Sequence, residues 1–203
     1  LNFAENLLRY RDDREALVFH SEGRAPERIT YRQLYDKVGR LARALEECGV
    51  AAGDRVAGYM PNRIETVTAM LAASSLGAIW SSCSPDFGIQ GVLDRFGQIE
   101  PKVIFTPDGY FYNGKTFGSL DRVARILERI PSVQRVVVVP YMSPDPEIGS
   151  LPDAVLYEDF LAAEAPAEIP FVQLPFDHPL YILYSSGTTG VPKCIVHGAG
   201  GTL

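Results

Sequence analysis

The nine residues from Ser185 to Lys193, SSGTTGVPK, hold four hydroxyls, two glycines and a lysine, and they follow directly on the apolar run YILY. A β-rich run ending in such a stretch predicts a loop at the C-terminal end of a strand, where α/β sheets gather their ligands. Gly187 and Gly190 free the backbone to curl so that successive N–H groups converge on an anion. Ser185, Ser186, Thr188 and Thr189 add hydroxyl donors, Pro192 stiffens the exit and Lys193 supplies a full positive charge. The chemistry predicted is the holding of a polyphosphate.

Two familiar phosphate loops are excluded. Counted from Gly187, the Walker pattern requires glycine where Pro192 stands and Ser or Thr where Cys194 stands, and the following CIVHG is β-branched where a helix should begin. No G-x-G-x-x-G is present, so a nicotinamide or flavin reading has no support. The three cysteines, Cys48, Cys83 and Cys194, form no metal-ligand spacing with the three histidines and read as reduced thiols of a cytoplasmic protein.

The elements that must position the loop follow from periodicity. Of 203 residues, 46% are hydrophobic and 22% charged, a composition that builds a soluble α/β core. Strands are predicted at Ala16–His20, Asp54–Met60, AIWSSCS, KVIF, RVVVVP and HPLYILYSS, with helices between them. The clearest helix starts at the capping box of Thr30 and Gln33, carries Leu34, Val38, Leu41 and Leu45 on one face, and stops at Gly49. Small residues in RIETVTAMLAASSLG predict a helix packed closely on the sheet. The four-valine run predicts a parallel strand covered on both faces. The expected fold is α/β, with mostly parallel sheets flanked by helices.

A net charge of −6 and the lack of any Lys/Arg run argue against a nucleic-acid partner. No apolar stretch reaches the ~18 residues of a membrane span, and the charged, amphipathic opening does not read as a signal peptide. The start at Leu1 and the glycine-rich close HGAGGTL point to a piece of a longer chain.

The segment YSSGTTGVPKCIVHG resembles the signature loop of the adenylate-forming enzymes, which include acyl-CoA synthetases, peptide-synthetase adenylation domains and luciferases. The resemblance extends over nearly the whole chain. Through the SSCSPDFG and KCIVHG stretches it is strongest to the branch that joins acetoacetate to coenzyme A, with acetate, propionate and other short-chain acids as alternatives. A non-catalytic nucleotide-binding module is the reading from a different class.

The resemblance implies a lead-in segment over residues 1–20. It also implies the first portion of an incomplete large N-terminal domain over 21–203, ending just past the phosphate loop. It implies ATP, Mg2+ and coenzyme A as small-molecule partners. Ser185, Ser186, Gly187, Thr188, Thr189, Gly190 and Lys193 would hold the ATP phosphates, with Thr188 and Lys193 carrying the catalytic stabilisation. The segment PDGYFYNGKTF matches one that holds coenzyme A phosphates: Lys115 fills one basic position, whereas Tyr112 stands at another. SSCSPDFG would line the same coenzyme pocket. Trp80 and His197 read as packed residues, Cys194 as a bystander to ATP-driven chemistry, and His20 and His178 as belonging to no constellation.

Overall fold

Short β-rich runs alternate with amphipathic ones along this chain, and the computed structural model, which describes residues 1–186 and 190–203, folds them accordingly. Helix α1 (Phe3–Leu7) is followed by the antiparallel pair β1 (Glu15–Phe19) and β2 (Glu27–Thr30). Helix α2 (Tyr31–Glu47) starts at the expected capping box. The Gln33 N–H donates to Thr30 Oγ1 at 3.2 Å, and the Thr30 N–H donates to Gln33 Oε1 at 2.9 Å. Gly49, at φ +84°, ends it.

The chain then runs through β3 (Arg55–Tyr59), α3 (Ile64–Ser75), β4 (Ile79–Cys83), α4 (Ile89–Ile99) and β5 (Val103–Pro107). A hairpin of β6 (Gly109–Tyr112) and β7 (Lys115–Gly118) precedes α5 (Leu120–Leu127), β8 (Arg135–Val139), β9 (Ala154–Leu156) and α6 (Tyr157–Phe160). The chain closes with β10 (Pro179–Ser185), β11 (Lys193–Gly198) and α7 (Ala199–Thr202). The helix expected over LYEDFLAAEA is the single turn α6, and the hairpin, β2 and β9 are elements that periodicity did not reveal.

Seven strands form the main sheet in the order β11-β10-β4-β3-β5-β8-β9, parallel throughout except where β11 returns antiparallel to β10. Alternate residues face opposite sides. Val56, Val103, Phe105 and Val137 join α1, α2 and α3 in one core, while Ala57, Ile104, Val136 and Val138 join α4 and α5 in the other. The four valines of β8 are all buried, as a strand covered on both faces requires. Helix α3 is buried nearly all round, and its hydroxyls bond back along the helix: Thr68 to the Ile64 carbonyl at 2.9 Å, Ser75 to that of Ala72 at 2.7 Å. The Asn2 side-chain amide donates to the carbonyls of Ser74, Ser75 and Val172, capping the end of that helix.

The order of crossovers matters for function. The chain moves from β3 to β4 through α3 on one face, then back past β3 to β5 through α4 on the other. Outgoing loops of neighbouring strands therefore diverge at β3, and a crevice opens at their C-terminal ends.

Strands β3 and β4 are packed without slack. A Cβ on Gly58 would lie 2.8 Å from Trp80 Cη2 and Cζ2, and Trp80 is itself buried. Gly58→Ala should cost about 1–3 kcal/mol through overpacking, read as a lower urea midpoint followed by Trp80 fluorescence. An unchanged midpoint would contradict this packing.

Candidate active site

The crevice is a cleft of about 460 Å3 lined by the segments that leave four strands: Met60–Asn62 after β3, Ser82–Asp86 after β4, Tyr110–Tyr112 of the hairpin after β5, and Tyr141 after β8. Residues Phe19–Glu22, leaving β1, close it from outside the sheet.

Past the strand ends the backbone has no ladder partners, and specific side chains satisfy part of it. Beyond β5, the buried Asp108 carboxylate accepts from three successive backbone N–H groups, those of Tyr141 (2.7 Å), Met142 (2.9 Å) and Ser143 (2.8 Å). Its own carbonyl accepts the Ser119 N–H at 3.0 Å, which closes the base of the hairpin. The loop after β4 is held through its carbonyls. Tyr59 Oη lies 2.9 Å from the Pro85 oxygen and 2.6 Å from that of Phe87, and Arg122 Nη1 reaches Tyr59 Oη (2.8 Å) and the Pro85 carbonyl (2.9 Å). Burial raises the Tyr59 hydroxyl's pKa against the opposing pull of Arg122, so Tyr59 stays a neutral donor.

One wall of the cleft is aromatic. The Tyr141 ring meets Phe19 and Phe111 edge to face, with centroids at 6.1 and 5.1 Å, and its hydroxyl bonds Ser21 Oγ at 2.5 Å. Behind it the buried Arg63 guanidinium stacks 4.5 Å from the Tyr141 centroid and pairs with Glu65 at 2.8 Å.

The hairpin of β10 and β11 opens on the same edge of the sheet, beside β4. Ser185, ending β10, is registered opposite Lys193, which begins β11, and Lys193 is exposed. Ser186 and Gly190 are also exposed, with Gly190 at φ +95°. Gly187, Thr188 and Thr189 lie outside the described residues. From α4, Gln98 donates to the Pro192 carbonyl at 2.8 Å and meets Cys194 Sγ at 3.6 Å, bracketing Lys193. Ser81 Oγ donates to the Ile182 carbonyl at 2.9 Å and sits 2.9 Å from the Tyr184 hydroxyl, tying β4 to β10.

The two segments matched to a coenzyme pocket do meet: Ser82–Asp86 and Tyr110–Tyr112 line one cleft. Lys115 stands at the exposed tip of the β6–β7 hairpin, opposite Tyr112 and outside the lining. Trp80 is core. His197 packs on the Tyr181 ring at 5.0 Å, and His178 bonds the Gly77 carbonyl at 2.8 Å. His20 lines the cleft. Sequence reasoning missed Tyr59, Asp108, Arg122, Glu22 and Tyr141. Only the Asn113-Gly114 turn signal within YFYNGKTF could have located part of this machinery. Among the described residues, no helix is long and apolar enough to cross a membrane.

A doubly wound sheet with a cleft at its switch point, beside the β10–β11 hairpin, defines an α/β protein with a ligand-sized site at the C-terminal ends of its strands. A family model described as AMP-binding enzyme matches residues 3–203, and the chain belongs to that family. Acetoacetyl-CoA synthetase of Mus musculus is 52% identical over 210 residues, covering 100% of this chain and 31% of that relative. Acetoacetyl-coenzyme A synthetase of Rhizobium meliloti (strain 1021) is 52% identical over 204 residues, again covering 100% and 31%. The solved acetoacetyl-CoA synthetase from Streptomyces lividans superposes with a TM-score of 0.91 at 44% identity, covering 99% of this chain and 31% of that one. The chain thus spans about a third of the length of the relatives it matches.

Cys83 borders the cleft but is buried, and burial pushes its thiol up to about 12. Iodoacetamide at pH 8 should alkylate Cys83 at least about a hundredfold more slowly than a free cysteine, measured by peptide mass spectrometry. Labelling at the free-cysteine rate would refute its burial.

Proposed function

We propose that this chain is the phosphate- and coenzyme-binding part of an ATP-dependent acid–thiol ligase that makes acetoacetyl-CoA. The observation that carries this reading is that the paired Ser185 and Lys193, at the end of the β10–β11 ladder, lie on the same edge of the sheet as the cleft. The relatives' names supply the acid.

The reaction has two halves. A carboxylate oxygen attacks the α-phosphorus of ATP and pyrophosphate leaves; the thiol of coenzyme A then attacks the acyl carbon and AMP leaves. In the first half, charge develops on the departing pyrophosphate. Donors already aimed at it lower the barrier without reorganising. Ser185, Ser186, Gly187, Thr188, Thr189, Gly190 and Lys193 would hold the phosphates, with Thr188 and Lys193 contributing most. The described members suit that role. Ser185 and Ser186 bring hydroxyls, Lys193 is exposed and registered across from Ser185, and Gln98 holds the Pro192 carbonyl and the Cys194 thiol on either side of Lys193. Mg2+, when bound, adds positive charge to the same phosphates.

In the second half, the cleft takes coenzyme A between the Ser82–Asp86 loop and the β6–β7 hairpin, with Lys115 at a coenzyme phosphate. The division into a lead-in over 1–20 and the start of a large domain over 21–203 belongs to this reading, as does a cytoplasmic location, which the three free thiols suit.

The test is acid-dependent exchange of labelled pyrophosphate into ATP by the full-length protein, with acetoacetate run beside acetate, propionate and butyrate. Exchange should be strongest with acetoacetate, and Lys193→Ala should lower it at least about a hundredfold. Exchange strongest with another acid would replace the substrate. None with any acid, in protein that still binds ATP, would favour a binding module.

A further inference from the structure

The tip of the β6–β7 hairpin is a two-residue turn, with Asn113 at φ +51° and Gly114 at φ +71°. In a turn of this kind both central N–H groups point away from the ladder and ordinarily bond to water. Here both are taken by one carboxylate. Glu22, in the loop between β1 and β2, accepts the Asn113 N–H on Oε1 at 3.0 Å and the Gly114 N–H on Oε2 at 2.8 Å. The two bonds lower the Glu22 pKa, that from Gly114 contributing most, so the carboxylate is charged at neutral pH and the bonds are charge-assisted.

The hairpin needs this support. A two-stranded ribbon is marginal alone, and Asp108 anchors this one only at its base, through the Ser119 N–H. The tip projects from the sheet with Tyr112 and Lys115 paired across it, both exposed. Phe111 packs on Tyr141 midway along the hairpin, and Glu22 anchors the tip from 91 residues away in sequence, lining the cleft beside Tyr110–Tyr112. A carboxylate lining a cleft proposed to take an anionic coenzyme would be a liability if its charge faced the ligand. Engaging both oxygens with backbone N–H groups turns that charge into a clamp.

We propose that Glu22 is a positioning residue that fixes the β6–β7 hairpin over the cleft and so presents Tyr112 and Lys115 to coenzyme A. This rests on assigning the hairpin to the coenzyme, as in the proposed function. Loss of the clamp loosens the hairpin and weakens coenzyme binding, leaving the bound chemistry as it was.

Glu22→Ala, Glu22→Gln and Lys115→Ala would be compared in the full-length enzyme. Two readouts are needed: KM and kcat for coenzyme A, and hydrogen exchange at the amides of Asn113 and Gly114. Glu22→Ala should raise KM about five- to tenfold with kcat within twofold, and Glu22→Gln, which keeps one acceptor oxygen, about two- to threefold. Both amides should exchange faster in step with KM. If Lys115→Ala raises KM while both Glu22 variants leave it unmoved, the clamp proposal is overturned and the coenzyme assignment stands. If no variant moves KM, the coenzyme assignment falls and the clamp's role falls with it. Unchanged exchange at Asn113 and Gly114 in Glu22→Ala would overturn the clamp itself.

Discussion

Every strand of a parallel sheet that ends at a shared edge leaves backbone N–H and C=O groups without ladder partners, and these must be satisfied before the edge can hold a fixed shape. In this molecule, side chains from distant elements meet that demand. Asp108 gathers three N–H groups beyond β8, Tyr59 and Arg122 take the carbonyls of Pro85 and Phe87, and Glu22 takes the hairpin tip. The cleft walls are these satisfied loops. Its shape is a consequence of backbone hydrogen bonding as much as of packing.

The partners come from separate parts of the fold. Arg122 sits on α5, Tyr59 on β3, and Asp108 between β5 and β6. Both walls depend on the two cores to hold α5, β3 and β8 in place. The cores lie on the faces of the sheet and the cleft on its edge, with the buried Met60, Cys83 and Tyr141 reaching from one to the other. Tyr59 belongs to both, since its ring packs with Val92 and Phe96 in the core while its hydroxyl reaches the loop.

Much of the frame was legible in the sequence because its signals are local. The capping box of α2, its stripe of Leu34, Val38 and Leu41, and the valines of β8 each declare themselves within a few residues. The strand after Lys193 was legible too, and it separates this loop from a Walker P-loop, in which a helix follows. The clamps were not legible, because isolated charges have no local signature. Asp108 finds its first partner 33 residues away, Arg122 finds Tyr59 63 residues away, and Glu22 finds Asn113 91 residues away. The β6–β7 hairpin is the instructive miss. Asn113-Gly114 between alternating aromatic residues is a strong turn signal, but reading that stretch for its basic residues passed over its geometry. Short β2 and β9 leave too few residues for alternation to register.

The proposed ligand site lies at the C-terminal edge of the sheet, where these loops converge. Hydrogen exchange of the full-length protein with and without coenzyme A probes it directly. Exchange should slow across 82–87 and 109–116, with the opposite edge, around 51–54 and 77–78, unchanged. Slowing confined to that opposite edge, with the cleft segments unaffected, would mean that the ligand binds elsewhere.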